Sequence, residues 1–479
     1  MSQMSPRAGW SLALLALGHL MTSLDFTIIY VALPELGADI GFSAHSLQWV
    51  VSVYAVFYGG FLLLGGRLSD LLGRRRMFVL GMALYAVASV LGGLATTPQM
   101  LLGARVLQGL GGAVLFPAVL SLVNTTFAEG RERNRALTVW AMAGAGGLSI
   151  GSLAGGVLTQ ALGWEAVFYV NVPPAVIGII AALRLLPADG RVAAGRVDIP
   201  GALTGTAGVT LLIFAIAQGS EAGWTPIAVA AAVLSPVLIA VFLILQARGR
   251  QPLMPLRLFG NRAHRAAVVI ILVFGLTMQA VPYFLTMYFQ GVLGFSALQT
   301  GVAFLGPTLM ITFANYISER LVHRLGTRTT LIIGILLNAL GGVLLGLGFT
   351  ADGSYLTVLA GIVVVGLGMG VTYEGMWIAA GTGVPAADQG LASGVASTAL
   401  QVGAGAGLAV LVAVANAGLG GLQGEGLRVA MAGGMRDAAF VIGAGALPAI
   451  LAAVALPRRT AEQAASATVT AESAPAGKG

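Results

Sequence analysis

Between residues 47 and 95 every formal charge sits in one short stretch, GGRLSDLLGRRRMF (65–78), which holds Arg67, Asp70, Arg74, Arg75 and Arg76. The runs on either side, 47–64 and 77–95, carry none. Roughly 20 apolar residues let an α-helix cross a bilayer, where the backbone must satisfy its own hydrogen bonds. Two membrane helices joined by a tight charged loop are therefore expected, with Gly66 and Gly73 permitting the turn. Asp70, just ahead of the next apolar run, is placed to cap that helix and face the arginines.

Composition extends this reading to the whole chain. Hydrophobic residues make up 57% and charged residues 9%, against roughly a quarter charged in a soluble domain. The expected class is an all-α polytopic membrane protein. A chain of 479 residues has room for about twelve to fourteen spans and little else. The net charge of +7 resides in arginines of short loops, which speaks for orientation in a bilayer and against nucleic acid. With no cysteine there is no disulfide framework and no thiolate metal site. No metal site, cofactor or enzymatic nucleophile is expected, and the glycine-rich runs fall inside apolar segments, where a phosphate loop does not form. Arg7 is followed by an apolar run that passes residue 30, too long for a signal peptide, so it is expected to remain as the first span. A single lysine against 24 arginines is associated with a GC-rich bacterial genome, and the expected location is the bacterial cytoplasmic (inner) membrane.

Fourteen apolar runs can be drawn, at about 10–33, 47–65, 77–95, 99–123, 136–160, 165–186, 199–218, 225–247, 264–289, 299–318, 329–349, 355–379, 390–417 and 438–456. Arginines collect in the even-numbered connections: Arg131, Arg133 and Arg135; Arg184, Arg191 and Arg196; Arg248, Arg250, Arg257 and Arg262; Arg320, Arg324 and Arg328; then Arg458 and Arg459. Odd-numbered connections hold Glu35, Asp39, Glu221 and Asp352, with Arg428 and Arg436 in the last. Positive loops stay inside, so both termini are expected to be cytoplasmic. SERLVHRLGTRTTL (318–331) repeats the frame of the first charged loop, with Gly326 for Gly73 and His323 for Asp70. Such a repeat marks a transporter built from related halves. The 253 residues between the two glycines leave room for two extra helices. The expected division is a six-helix bundle (10–186), a two-helix insertion (187–263), a second six-helix bundle (264–456) and a disordered tail (457–479).

Several stretches carry a family resemblance. Gly-x-Leu-x-Asp-x-x-Gly-Arg-Arg in the first charged loop, LDFTIIYVALPELGADIG (24–41), LLGARVLQGLGGA (101–113), DIPGALTGTAGVTLLIFAIAQG (198–219) and PLMPLRLFGNRAHR (252–265) together resemble the fourteen-span drug:proton antiporters of the major facilitator superfamily. Tyr30 departs from the family's asparagine. The resemblance implies two six-helix bundles plus two helices, and a gating role for Gly66, Arg67, Asp70, Gly73, Arg74 and Arg75; His323 implies a weaker latch in the second half. The antiporter motif of the fifth span appears as Gly147, Gly151, Ser152, Gly155 and Gly156, with serine in place of proline, which puts the motif's kink in doubt. The glycines at 147, 151 and 155 also form a smooth ridge on which a neighbouring helix can pack.

Four ionisable residues stand within spans, and such groups are costly enough to mark function. Asp25 is a candidate proton carrier or cation site, or a helix-packing carboxylate. Arg105 shares a face with Gln108, Gly109, Gly112 and Phe116, expected to line a cavity; its fixed charge can act on a nearby carboxylate or hold helices as an ion pair. The resemblance ties this arginine to proton coupling. Glu374, with Tyr373 and Trp377, is suited to a lipophilic cation, or else snorkels toward the membrane surface. His19 on an apolar face reads as a packing residue. Gln108, Gln279, Asn315, Tyr373, Trp377 and Gln401 are expected around the substrate, with Gln290 and Asn338 further polar points. So few polar groups on an apolar wall suit amphipathic organic molecules better than sugars. The expected function is proton-coupled export of a hydrophobic or cationic compound by a monomer; export of a self-made metabolite, or uptake by symport, remains open. A channel would need a selectivity ring, and a sensor a soluble output domain.

Overall fold

The computed structural model describes residues 6–457 except 44–45, 128–130, 190–197, 223, 250–251, 386–388 and 421. Arg191, Arg196, Arg250, Arg458, Arg459 and the tail from 458 lie outside the described residues, as do the side chains of Asp70, Arg131, Arg133, Glu221 and His323. The described residues form helices and no strand. The first group is α1 (Pro6–Ile40), α2 (Trp49–Leu72), α3 (Arg74–Gly93), α4 (Pro98–Thr126), α5 (Arg131–Leu162), α6 (Ala166–Tyr169) and α7 (Val172–Leu185). A pair follows, α8 (Ile199–Ala222) and α9 (Pro226–Arg248). The last group is α10 (Arg262–Met278), α11 (Val281–Met287), α12 (Ala297–Ala303), α13 (Leu305–Leu325), α14 (Thr327–Gly348), α15 (Tyr355–Gly381), α16 (Gln389–Asn416), α17 (Gly424–Ala446) and α18 (Ala449–Val454). Twelve segments among the described residues are long and apolar enough to cross a membrane. The helices α2 and α5 contribute shorter apolar segments, Trp49–Leu62 and Ile150–Leu162.

Helix ends follow local chemistry. The hydroxyls of Thr97 and Thr225 accept from the amides of Met100 and Ala228, each ahead of a proline in the first turn, where the missing N–H costs nothing. Asn261 receives the Ala263 and His264 amides at the start of α10. Ser296 and Gln299 close a capping box on α12.

The two groups share a packing scheme. The contacts α2 with α4, α3 with α4 and α3 with α7 recur as α13 with α15, α14 with α15 and α14 with α17. The repeated loop recurs too: Gly73 (φ 104°) and Gly326 (φ 82°) each end one helix and open the next, in a region L side chains rarely adopt. The α8–α9 pair, tied by Ser235 Oγ donating to Gly208 O at 2.8 Å, docks where α2 meets α16. Thr206 faces Gly60, and Ile213 packs with Val56, Ala406 and Ala409. On α9, Ile227, Val233, Leu234 and Val237 remain exposed, a surface stable only against hydrocarbon.

Two expectations are corrected. Asp70 does not stand before α3, because α2 runs through Leu72. The cap comes from Asp189, whose Oδ1 and Oδ2 accept from the amides of Arg75 and Arg76, each at 3.0 Å. Arg75 also donates through its guanidinium to Leu183 O at 2.5 Å. A β-carbon on residue 73 would run into the Asp189 carboxyl. The last long helix begins at Gly424, fourteen residues earlier than expected, so Arg428 and Arg436 lie on α17 and not in a loop. Arg428 is anchored there by Glu425 at 2.6 Å, by Asp352 at 3.3 Å and by the Ala351 carbonyl, and the glycines that read as loop are absorbed into a close helix contact, Gly434 lying against Ala415.

Asp189→Ala removes a charged cap from two orphan amides, and is expected to cost about 1–2 kcal/mol, read as a lower thermal midpoint in detergent. An unchanged midpoint would mean the cap carries no weight.

Candidate functional site

A buried ion pair joins α1 to α4. Asp25 and Arg105 are each 1% exposed, with Arg105 NH1 2.9 Å from Asp25 Oδ2. A charge this deep is tolerated only when its hydrogen bonds are made. Asp25 Oδ2 also accepts from Tyr85 OH at 3.1 Å, and Oδ1 accepts from Gln108 Nε2 at 3.3 Å and Asn171 Nδ2 at 3.1 Å. Four donors from α3, α4 and the α6–α7 break thus converge on one carboxyl. Arg105 also donates to Gln108 Oε1 at 2.8 Å and Val50 O at 2.9 Å. Its guanidinium lies 4.3 Å from the Tyr54 ring centroid, a cation–π contact. Tyr54 and Tyr85 hydroxyls meet at 3.2 Å, and Gln108 reaches Ser89 Oγ at 3.1 Å.

Around Arg105 the expected face of α4 is packed against its neighbours. Gln108 is fully buried, while Gly109 and Gly112 let the backbone and ring of Tyr58 come close. The desolvated arginine needs partners on all sides, and bundle helices supply them. Tyr54, Tyr85, Ser89 and Asn171 were not read from the sequence. Tyr85 and Ser89, one turn apart on the charge-free part of α3, were the available signal. Asn171 sits between α6 and α7, just before Pro173 and Pro174, where the helix break frees its side chain to turn inward.

The remaining candidates lie in the second group or on its seam with the first. Tyr373 on α15 packs with Phe274 and Trp377, with centroids 6.1 and 6.0 Å away. Glu374 is half-buried on the same turn. Asn338 donates to Thr372 Oγ1 at 3.0 Å. The side-chain oxygens of Asn315, Asn338 and Gln401 are buried without a hydrogen-bond partner among the described residues. Gln279 lies at the break between α10 and α11, and its carbonyl accepts from Tyr30 OH at 3.5 Å. Gln290 donates to Val31 O at 2.8 Å.

The ridge of Gly147, Gly151 and Gly155 faces α1, where added β-carbons would strike the carbonyls of Leu20, Leu24 and Ile28. Ser152 and Gly156 face the other way, onto Gly301 of α12. The helix runs unbroken through Ser152. Across the seam, Thr398 Oγ1 donates to Gly59 O at 3.0 Å, and Gly59 leaves room for Gln401. In the charged stretch, Gly66 lies on α2 against Pro117, and Arg67 and Arg74 are half-buried.

Paired helical bundles with one packing scheme, a glycine-lined seam and an ion pair buried beside it define a membrane transporter, not an enzyme. The chain belongs to the major facilitator superfamily, whose family model matches residues 15–408. It is 38% identical over 417 residues to a puromycin resistance protein of Streptomyces alboniger, covering 86% of this chain and 82% of that one. It is 39% identical over 422 residues to a cephamycin export protein of Amycolatopsis lactamdurans, with 87% and 86% covered. The fold is similar to a crystal structure of a POT peptide transporter in complex with sulfate, at TM-score 0.66 and 16% identity, covering 91% of this chain and 94% of that one.

Asp25→Ala leaves Arg105 charged and unpaired, with an expected loss of about 3–5 kcal/mol, read as a lower thermal midpoint or lost monodispersity. Asp25→Ala combined with Arg105→Leu should recover part of it. If the double variant is as unstable as the sum of the single ones, the two side chains are not energetically coupled.

Proposed function

We propose that this protein is a proton-coupled drug exporter of fourteen spans, working as a monomer in a bacterial inner membrane with both termini cytoplasmic. The buried Asp25–Arg105 pair carries the reading, and relatives named for puromycin resistance and cephamycin export support it. The twelve apolar segments and the shorter ones of α2 and α5 support the span count. Alternation of arginine-rich loops supports the orientation.

Asp25 is the proton carrier in this scheme. As a carboxylate it accepts from four donors; once protonated it has a proton to donate, and the attraction to Arg105 is lost. Arg105 then turns to Gln108, Val50 O and the Tyr54 face, and the α1–α4 contact relaxes. Since α1 also carries the seam contacts through Tyr30 and Val31, proton binding and seam opening share one helix. The drug occupies the space between the halves, against Tyr58, Tyr373 and Trp377, with Glu374 attracting cationic compounds. Each proton entering down a 100 mV potential supplies about 2.3 kcal/mol.

Proteoliposomes loaded with a pH-sensitive dye test this. Puromycin is expected to drive proton movement in the wild type, and Asp25→Asn to reduce it at least tenfold while puromycin binding changes by less than about threefold. Full proton movement with Asp25→Asn would remove Asp25 from the mechanism. Puromycin uptake that runs with the proton gradient, rather than against it, would replace export by symport.

A further inference from the structure

His19 is the intramembrane ionisable residue that the proton scheme leaves unused. Its imidazole stacks on Trp140 of α5 at 4.1 Å between centroids and 15° between planes. Phe116 of α4 stands 5.6 Å from His19 and 5.7 Å from Trp140, and Tyr58 stands 6.4 Å from Phe116. The four rings are half-buried, and Tyr58 adjoins the seam, next to Gly59, which packs on Gln401. Gly144, one turn beyond Trp140, makes the space for the imidazole, since a β-carbon there would overlap the ring.

Two polar atoms inside this box have no hydrogen-bond partner among the described residues: His19 Nδ1 and Trp140 Nε1. A packing histidine is ordinarily hydrogen-bonded, and a buried indole N–H usually finds an acceptor. Neither does here, although Asp25 and its donors lie in the same bundle. Indole nitrogen only donates, whereas neutral imidazole offers one donor and one acceptor. Aromatic faces with an unused donor describe the complement of a flat ring carrying an acceptor on its edge.

We propose that His19, Phe116, Trp140 and Tyr58 form a subsite for a planar aromatic or heteroaromatic part of the exported compound, which takes its edge hydrogen bond from Trp140 Nε1. The inference rests on the export reading. None of the four rings carries a formal negative charge, so this subsite selects for aromaticity and an acceptor, and charge selection belongs to Glu374 on the opposite half. The subsite is also joined to the proton carrier by rings: Tyr58 stacks near Tyr54 at 5.7 Å, and Tyr54 touches both Arg105 and Tyr85.

Equilibrium binding to purified, detergent-solubilised protein tests the subsite with radiolabelled puromycin, whose purine supplies a flat ring with acceptor nitrogens, and with tetrahexylammonium, which has no ring. Trp140→Ala is expected to weaken puromycin about tenfold or more, and Trp140→Phe, which keeps a ring but loses the N–H, by a smaller factor. Gly144→Ala, which displaces His19 without adding a ligand contact, should weaken puromycin severalfold. Tetrahexylammonium should change by less than about twofold in all three. Puromycin affinity that survives Trp140→Ala and Gly144→Ala overturns the subsite and leaves export standing, as does equal loss for both compounds. Wild-type protein that binds tetrahexylammonium alone also overturns the subsite only. Wild-type protein that binds neither and moves no protons with either overturns both readings.

Discussion

The ion pair between Asp25 and Arg105 is the constraint around which the first bundle is arranged. Two opposite charges out of water are stable only if their attraction and their hydrogen bonds offset a desolvation cost of several kcal/mol per ion. That requirement explains why α3 contributes Tyr85, why the α6–α7 break contributes Asn171, and why α2 offers both the Val50 carbonyl and the Tyr54 ring. Removing any one takes a hydrogen bond or a ring contact from a charge pair in a low-dielectric interior. The network therefore fixes where five helical segments stand relative to one another.

Glycine makes the arrangement geometrically possible. Hydrocarbon gives helices no hydrophobic reason to associate, so close backbone approach has to supply the packing energy. The ridge on α5 accepts α1, and its opposite face, through Ser152 and Gly156, accepts Gly301 of the other half. One helix thus reports the position of α1 to the second bundle. α5 runs as one helix through Ser152 and so carries both contacts on a single element.

Legibility in the sequence followed how local each signal was. The Gly73 and Gly326 loops were visible because a helix end, a positive φ and a charge run coincide within a few residues. Asp25 and Arg105 were visible because a charge inside an apolar run is rare. Asp189 was invisible as a cap: it lies more than a hundred residues from the amides it receives, and the nearer Asp70 offered a local alternative. Tyr85, Ser89 and Asn171 were lost for a related reason, since single neutral polar residues are common in membrane helices and only the shared target gives them meaning. The start of α17 was misplaced because Gly424, Gly426, Gly433 and Gly434 resemble a loop until tertiary packing is known. Phe116 and His19 were each singled out, but their contact with each other and with Trp140 of α5 was not, because stacking between helices leaves no trace in spacing.

The seam between the halves is built so that it can be broken. The polar bonds that cross it, from Thr398 to Gly59, Tyr30 to Gln279 and Gln290 to Val31, are neutral, and each contributes about 0.5–1.5 kcal/mol net. Their sum is of the same order as the about 2.3 kcal/mol that one charge gains across 100 mV. In the proposed cycle, strong electrostatics inside one bundle and single neutral bonds among the described seam contacts mean that a proton at Asp25 would act on a balance already close to even.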